Sequence, residues 1–430
     1  MTTLRISGGQ VLHPDMTVAP GDVVVDDESG AIVAVGADVP DADETLDATD
    51  CLVLPGLVNA HTHVAMTLLR GLADDKPLES WLREDVWPVE AQLTPDDIRV
   101  GAELGILEMI RSGTTTFSDM YFHVPEIADA VDRAGVRAVL GHTAITVGKD
   151  DDAATADCQE SLDVARELDG AADGRITTTF QPHSLTTVDE SSLREFVPKA
   201  REAGLAVHFH ANETPNEVAP IVEDQGVRPL EYARDCGLLE PGDVLAHCVH
   251  VDDREIELLA ETGAAAIHCP ASNMKLASGM APVQRLLDAG ATVALGTDGA
   301  ASNNDLDCFD ELRDAAMVGK LAANDAGAVS AASAVRMATA GGAAALGIDA
   351  GRLVPGARAD VAVVDLTAPH LQPPHDLVSH LAYAVTGADV RHTICDGRVL
   401  MRDREVLTLD EREVCETATE RAAALVERAT

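Results

Sequence analysis

The sequence predicts an α/β chain: a (β/α)8 barrel carrying a small β-domain made from both chain ends. Three observations carry that expectation. Eight apolar, strand-like runs end near His63, Asp119, His142, His183, His210, His247, His268 and Asp298. Helical patterns lie between them, and strands alternating with helices imply a parallel sheet. Eight such units within roughly 300 residues suit a closed barrel, whose strand ends gather polar residues on one face. Finally, the β-rich texture of the N-terminal segment returns near the C-terminus.

In order, Leu4–Val53 is rich in Val, Ile, Gly and Asp. Its short alternating runs (22–26 and 31–35) are broken by turn residues such as Ser29-Gly30, as in a small β-domain. Leu52–Gly71, LVLPGLVNAHTHVAMTLLRG, opens as a buried strand and ends in His61-Thr62-His63. Helical patterns follow at 95–112, 124–134, 153–168, 191–203, 252–262, 282–289 and 306–321. The alanine-rich stretch 331–346 reads as a helix, with Gly341-Gly342 marking close packing. Residues 359–365 and 392–401 read as strands, the second interrupted by Asp396-Gly397. The expected division is a composite β-domain of residues 1–53 and 355–410, a catalytic barrel of 54–354, and a C-terminal helix of 411–430.

Composition narrows the function. Net charge is −42, from 31 basic and 73 acidic residues, which excludes a general nucleic-acid or anionic-membrane surface. Acidic residues run along the whole chain, and the apolar fraction of 46% separates it from disordered acidic proteins. Such chains suit molar salt, where the Debye length is about 3 Å and self-repulsion is weak. The eight cysteines are scattered without a CxxC pair, as in a reducing cytoplasm. No run reaches the length of a membrane span and the N-terminus has no signal pattern, so the expectation is cytoplasmic.

Four clusters carry chemistry. His61 and His63 share a strand face, because residues i and i+2 point the same way. An isolated HxH pair is more often structural; the other clusters change the odds. His208 and His210 repeat the spacing in VHFHANET, with Glu213 three residues beyond His210. His247 ends the run LAHCVH, and Asp298 follows an apolar run in VALGTDGAASNN. Together they offer three to five imidazole nitrogens, a carboxylate ligand and a spare carboxylate, the set a catalytic divalent metal needs.

HTH, HxxxET, AHCVH, HCPASN and LGTDGAASNN resemble the amidohydrolase superfamily in its mononuclear deaminase branch. WLREDVWPVEAQL, SDMYFH, QPHS and SNMKLASGMAPVQRLLDAG resemble more narrowly the 5-methylthioadenosine/S-adenosylhomocysteine deaminase family, here in a salt-adapted form. The resemblance implies a metal-dependent hydrolase barrel with a β-sandwich from the chain ends. It implies hydrolytic deamination of adenosine derivatives (5′-methylthioadenosine, S-adenosylhomocysteine, 5′-deoxyadenosine) to inosine derivatives and ammonia. His61, His63, His210 and Asp298 would ligate one divalent ion, zinc first, with iron(II) or manganese(II) also suited. Glu213, His247 and Asp298 would be catalytic. Trp81, Glu90, His142 and His183 would contact the nucleoside alongside Glu213 and Asp298. His208 is expected in the core or behind a ligand. The implied partner is a small-molecule nucleoside, with neither nucleic acid nor membrane, and a homo-oligomer is the default assembly.

One departure concerns the substrate. Relatives that hold the homocysteine part use arginines after the third barrel strand. Here the first such position reads His142, and the Lys149–Asp157 loop has no arginine; Arg111, Arg133 or Arg137 would have to substitute. Rival readings are a guanine or cytosine deaminase or an s-triazine hydrolase of the same branch, a non-enzymatic barrel paralogue, and a binuclear hydrolase. The paralogue would be expected to lose metal ligands. The binuclear site would need a carboxylated lysine at a strand end, and only Lys275 among the five lysines comes near one.

Overall fold

The computed structural model describes residues 2–429. Eight parallel strands form the barrel sheet: β1 (Leu57–Thr62), β2 (Thr114–Asp119), β3 (Arg137–Leu140), β4 (Ile176–Pro182), β5 (Ala206–Ala211), β6 (Val244–His247), β7 (Ala265–His268) and β8 (Thr292–Leu295). They pair in sequence order from β1 to β8. The circle closes where β8 leads onto β1. The Asp298 N–H donates to the His61 carbonyl (3.1 Å), and the Asn59 side-chain oxygen accepts from the Thr297 N–H (3.0 Å). Gly296 is needed at this crossing, since a Cβ there would lie 2.8 Å from the His61 carbonyl oxygen.

Each expected helix is present with ends moved by one or two residues, for example Pro95–Arg111, Val124–Ala134, Glu190–Glu202 and Cys308–Ala323. The first of these is fixed by Thr94 and Asp97, which cap each other's N–H groups. The alanine-rich stretch is not one α-helix. It runs as Ala331–Arg336, a wider π turn over Met337–Gly341, and Gly342–Ala345. A Cβ on Gly342 would meet the Val58 Cβ at 2.7 Å, so this helix is glycine-lined to lie directly on β1.

Strands from both chain ends build a separate nine-stranded sheet. Cys51–Pro55 runs antiparallel to Val361–Asp365 and parallel to Thr3–Leu12, which joins the N-terminal strands to the C-terminal ones. The sheet folds back on itself. Ile32 N–H donates to the Ala357 carbonyl and Ala359 N–H to the Gly30 carbonyl, both at 2.8 Å. Ile6, Val23, Val25, Val53, Val361 and Ile394 fill its own core. Arg137, at the start of β3, bridges this sheet to the barrel through Asp360 (3.2 Å) and Asp396 (2.7 Å). Among the described residues no helix is long and apolar enough to cross a membrane.

Between β1 and the helix Pro95–Arg111 lies a stretch whose helical character the sequence pattern did not reveal. It comprises a 3-10 turn over Val64–Leu69 and short helical pieces at Leu78–Trp81, Leu82–Val86 and Trp87–Glu90. These pieces roof the C-terminal mouth of the barrel.

Candidate metal and substrate site

At the C-terminal mouth, the strand ends bring His61, His63, His210 and Asp298 together, with their ligand atoms all within 4.8 Å of one another. His63 Nε2 is 3.1 Å and His61 Nε2 3.5 Å from Asp298 Oδ1. Each histidine is locked by its other ring nitrogen. His63 Nδ1 meets the Met120 carbonyl (2.6 Å) and His210 Nδ1 the His183 carbonyl (2.9 Å), so both Nδ1 atoms carry the proton and Nε2 is left as acceptor. His61 Nδ1 meets His208 Nε2 (2.9 Å), and His208 Nδ1 meets Ser118 Oγ (3.2 Å). That relay fixes the orientation of the His61 ring, as outer partners of this kind do for metal ligands.

His61 Nε2 is buried without a hydrogen-bond partner in the protein. An orphaned acceptor of this kind, beside two like nitrogens and a carboxylate oxygen, fits a divalent cation, for which three imidazoles and one carboxylate are an ordinary donor set. Electrostatics agree. Burial alone would lower His63, but the Asp298 carboxylate overrides it and lifts it to about 9, a proton standing where a cation is called for. Burial pushes His61 down to about 3. It also opposes the charge on Asp298, yet the imidazoles of His61 and His63 beside it hold that carboxyl well below its usual range. Asp298 Oδ2 is occupied separately, by the hydroxyls of Ser272 and Ser302, each at 2.7 Å. Oδ1 alone therefore faces the histidines.

Glu213 and His247 flank this group. His247 Nε2 lies 3.7 Å from Glu213 Oε2, and its Nδ1 is fixed on Asn273 Oδ1 (3.0 Å). Burial raises the Glu213 pKa, with the nearby Asp298 charge adding to it and His247 opposing. His247 and Asp298 adopt φ of 73° and 59°. Left-handed backbone at non-glycine residues costs about 1–3 kcal/mol each and is characteristic of functional sites.

A cavity of about 530 Å³ opens from these groups towards the roof. Trp81, Glu90, His183, Phe122, Trp87 and Ile145 line it. The Tyr121 hydroxyl donates to Glu90 (2.7 Å), and the Trp81 indole N–H donates to the Ala73 carbonyl (3.1 Å). His183 is held by Thr187 (2.9 Å), and burial lowers it to about 4, so its imidazole is neutral.

His142 does not join them. It is absent from the cavity lining, where Thr143 and Ile145 stand instead, and its Nε2 pairs with Asp157 (3.1 Å). Lys149 binds the same carboxylate (2.7 Å). Of the arginines that would have to substitute, Arg137 is committed to Asp360 and Asp396, Arg111 to Glu411, and Arg133 to Glu103. The lining includes neither lysine nor arginine but carries Glu79, Glu90, Glu213, Glu217 and Asp298. Among the described residues the group that gathers here holds no lysine, and Lys275 is bound to Asp74 (2.8 Å). Sequence reasoning missed Ser272, Asn273, Ser302 and Tyr121. Three of these sit in strings already singled out for their histidine or aspartate; no periodicity marks them, because they act from the first turn after a strand.

Residues 52–400 match the Amidohydrolase family. The chain is 71% identical to a 5-methylthioadenosine/S-adenosylhomocysteine deaminase of Haloarcula marismortui, covering 100% of both chains. It is 45% identical to a 5′-deoxyadenosine deaminase of Methanothermobacter thermautotrophicus, over 98% of this chain and 99% of that one. A crystal structure of an adenosine deaminase from Xanthomonas campestris with bound zinc superposes with a TM-score of 0.92 at 38% identity, over 99% and 98% of the two chains.

Proposed function

We propose a mechanism for this chain, which belongs to the amidohydrolase family and is a hydrolase of C–N bonds that deaminates adenosine derivatives. His61, His63, His210 and Asp298 would hold one divalent ion, zinc by the chemistry of the donor set and by the zinc in the Xanthomonas enzyme. When bound, the ion acidifies a water so that a nucleophile exists at neutral pH. The single observation that carries the reading is the convergence of three Nε2 atoms, each freed by a bond at Nδ1, on the one unoccupied oxygen of Asp298.

Asp298 Oδ1 takes the water's proton as oxygen adds to C6 of the adenine ring. Glu213, whose pKa is raised by burial, gives its proton to ring N1 so that charge does not build on the purine. His247, its Nδ1 held on Asn273, presents Nε2 as an acceptor that orients the attacking water. Collapse of the tetrahedral carbon returns the proton from Asp298 to the amine, and ammonia leaves. The second proton of the consumed water restores Glu213, so the products are the inosine derivative and ammonia. Trp81, Glu90 and His183 hold the nucleoside under the roof.

Within the adenosine derivatives, the lining favours an apolar 5′ group. An amino-acid carboxylate calls for a fixed cation, ideally a bidentate arginine. The cavity presents carboxylates instead, and the nearest expected cation, Lys149, is bound to Asp157. 5′-Methylthioadenosine and 5′-deoxyadenosine are therefore turned over with a higher kcat/KM than S-adenosylhomocysteine. The experiment is ammonia release from these three, adenosine, guanine and cytosine at one molar salt concentration. Preference for guanine or cytosine would overturn the substrate class; equal or better use of S-adenosylhomocysteine would overturn only the 5′ preference.

A further inference from the structure

The helix Pro215–Gln225 begins next to Glu213 and carries an acidic residue that the mechanism leaves unused. Thr214 is its N-cap and accepts from the Glu217 N–H (3.3 Å). In an ordinary capping box the acid three residues on bonds back to the N–H of the cap itself. Among the described residues four other helical segments do this: Asp97 to Thr94, Glu231 to Arg228, Glu255 to Asp252 and Asp389 to Thr386, at 2.9–3.3 Å. Glu217 does not. Its Oε2 reaches one residue further back and takes the N–H of Glu213, at 2.7 Å.

The displacement matters because of what precedes it. Asn212 adopts φ 54°, and its side chain is bound to both oxygens of Glu255 (3.1 Å each) and to the His250 carbonyl (3.2 Å). The strand β5 thus ends in a pinned residue, and Glu213 is the next one. With Glu217 on its N–H, the main chain of Glu213 is held on both sides. Glu217 Oε1 is buried with no protein partner, and Glu217 is one of the residues lining the cavity. Burial pushes this carboxyl up to about 8, so at neutral pH it adds no full second charge beside Glu213.

We propose that Glu217 is a positioning residue for Glu213: its carboxyl, drawn off the usual capping bond, fixes the peptide from which the proton-donating side chain projects. The proposal rests on Glu213 being the acid that protonates the ring. A misplacement of about 1 Å at such a group costs about 10²-fold in rate.

The test is a variant series in the metal-loaded, full-length enzyme. Glu217→Asp keeps an acid at the position where Asp97 and Asp389 serve as ordinary caps, but is one methylene too short to reach Glu213. It is expected to keep one metal per chain, the wild-type melting midpoint and KM within about twofold, while kcat falls at least about tenfold. Glu217→Gln keeps the carbonyl acceptor for the Glu213 N–H and is expected to hold kcat within about threefold. An unchanged kcat in Glu217→Asp, or an equal fall in both variants, overturns the proposal. So does a fall that tracks lost metal or lost stability, which would make Glu217 a structural cap. Glu213→Gln is measured alongside. Normal turnover there would remove the acid role of Glu213, whereas a fall there with normal Glu217→Asp would remove only the role of Glu217.

Discussion

Floor and roof of the cavity are built on opposite plans. At the floor, each candidate ligand is held by a second group: His61 by His208, His63 by Met120, His210 by His183, and Asp298 by two serines. These contacts come from strand ends and the first turns beyond them, inside a sheet whose closure they share. The roof is made of short helical pieces tied at scattered points: Lys76 to Glu84 and Asp85 and Trp81 to Ala73 within it, and Tyr121 to Glu90 and Asn216 to Glu79 (2.8 Å) among the bonds that leave it. Trp87 lines the cavity and is still 49% exposed. A floor that over-determines its geometry suits chemistry that tolerates little misplacement. A roof tied at scattered points suits admission and selection of the part of the substrate that does not react.

Substitutions break this contrast in graded ways. His63→Ala removes a ligand and is expected to abolish both metal retention and turnover, a loss on the order of 10³-fold or more. Elemental analysis beside an ammonia assay checks it; metal retained at full occupancy would take His63 out of the ligand set. Glu213→Gln should leave the metal in place and lower kcat by at least about 10²-fold. Near-normal turnover would pass the proton to another group. Ser272→Ala with Ser302→Ala frees Asp298 Oδ2 without touching a ligand. Losses at outer partners run about 10–100-fold in metal affinity or activity, and chelator competition reads the affinity.

At the roof the effects shrink. Trp87→Ala should raise KM for 5′-methylthioadenosine several-fold with kcat nearly unchanged, since a half-exposed ring forms few contacts that tighten only in the transition state. A kcat loss as large as that of Glu213→Gln would show that the roof takes part in the chemistry. Smallest of all, His142→Ala should leave kcat and KM within about twofold, because its ring is spent on Asp157 outside the cavity.

The same contrast explains what could be read from sequence. Strand parity and polar run ends point to His61, His63, His208, His210, His247 and Asp298 as candidates, because a strand of period two fixes the direction of its last side chains, and the family resemblance selects among them. The sheet order and the return of the C-terminal strands to the N-terminal ones follow from alternation and turn residues. The roof has neither period. Its residues meet the site through tertiary placement, so Tyr121 and the path from Thr62 to Leu93 carry no helix or strand period, and Trp81 and Glu90 are reached only through the family resemblance. His142 shows the limit from the other side. It stands near a strand end like the ligands, but β3 stops at Leu140, and the chain turns so that Thr143 and Ile145 face the cavity. His208 is the reverse case, a histidine in ligand spacing whose work is to aim His61.

In the proposed mechanism one metal ion on the floor serves the deamination. The most direct measurement is titration of the metal-free enzyme with zinc in molar salt while ammonia release from 5′-methylthioadenosine is followed. The account predicts activity rising linearly and levelling at one equivalent per chain. A plateau at two equivalents, or full activity without added metal in protein shown to be metal-free, would contradict it.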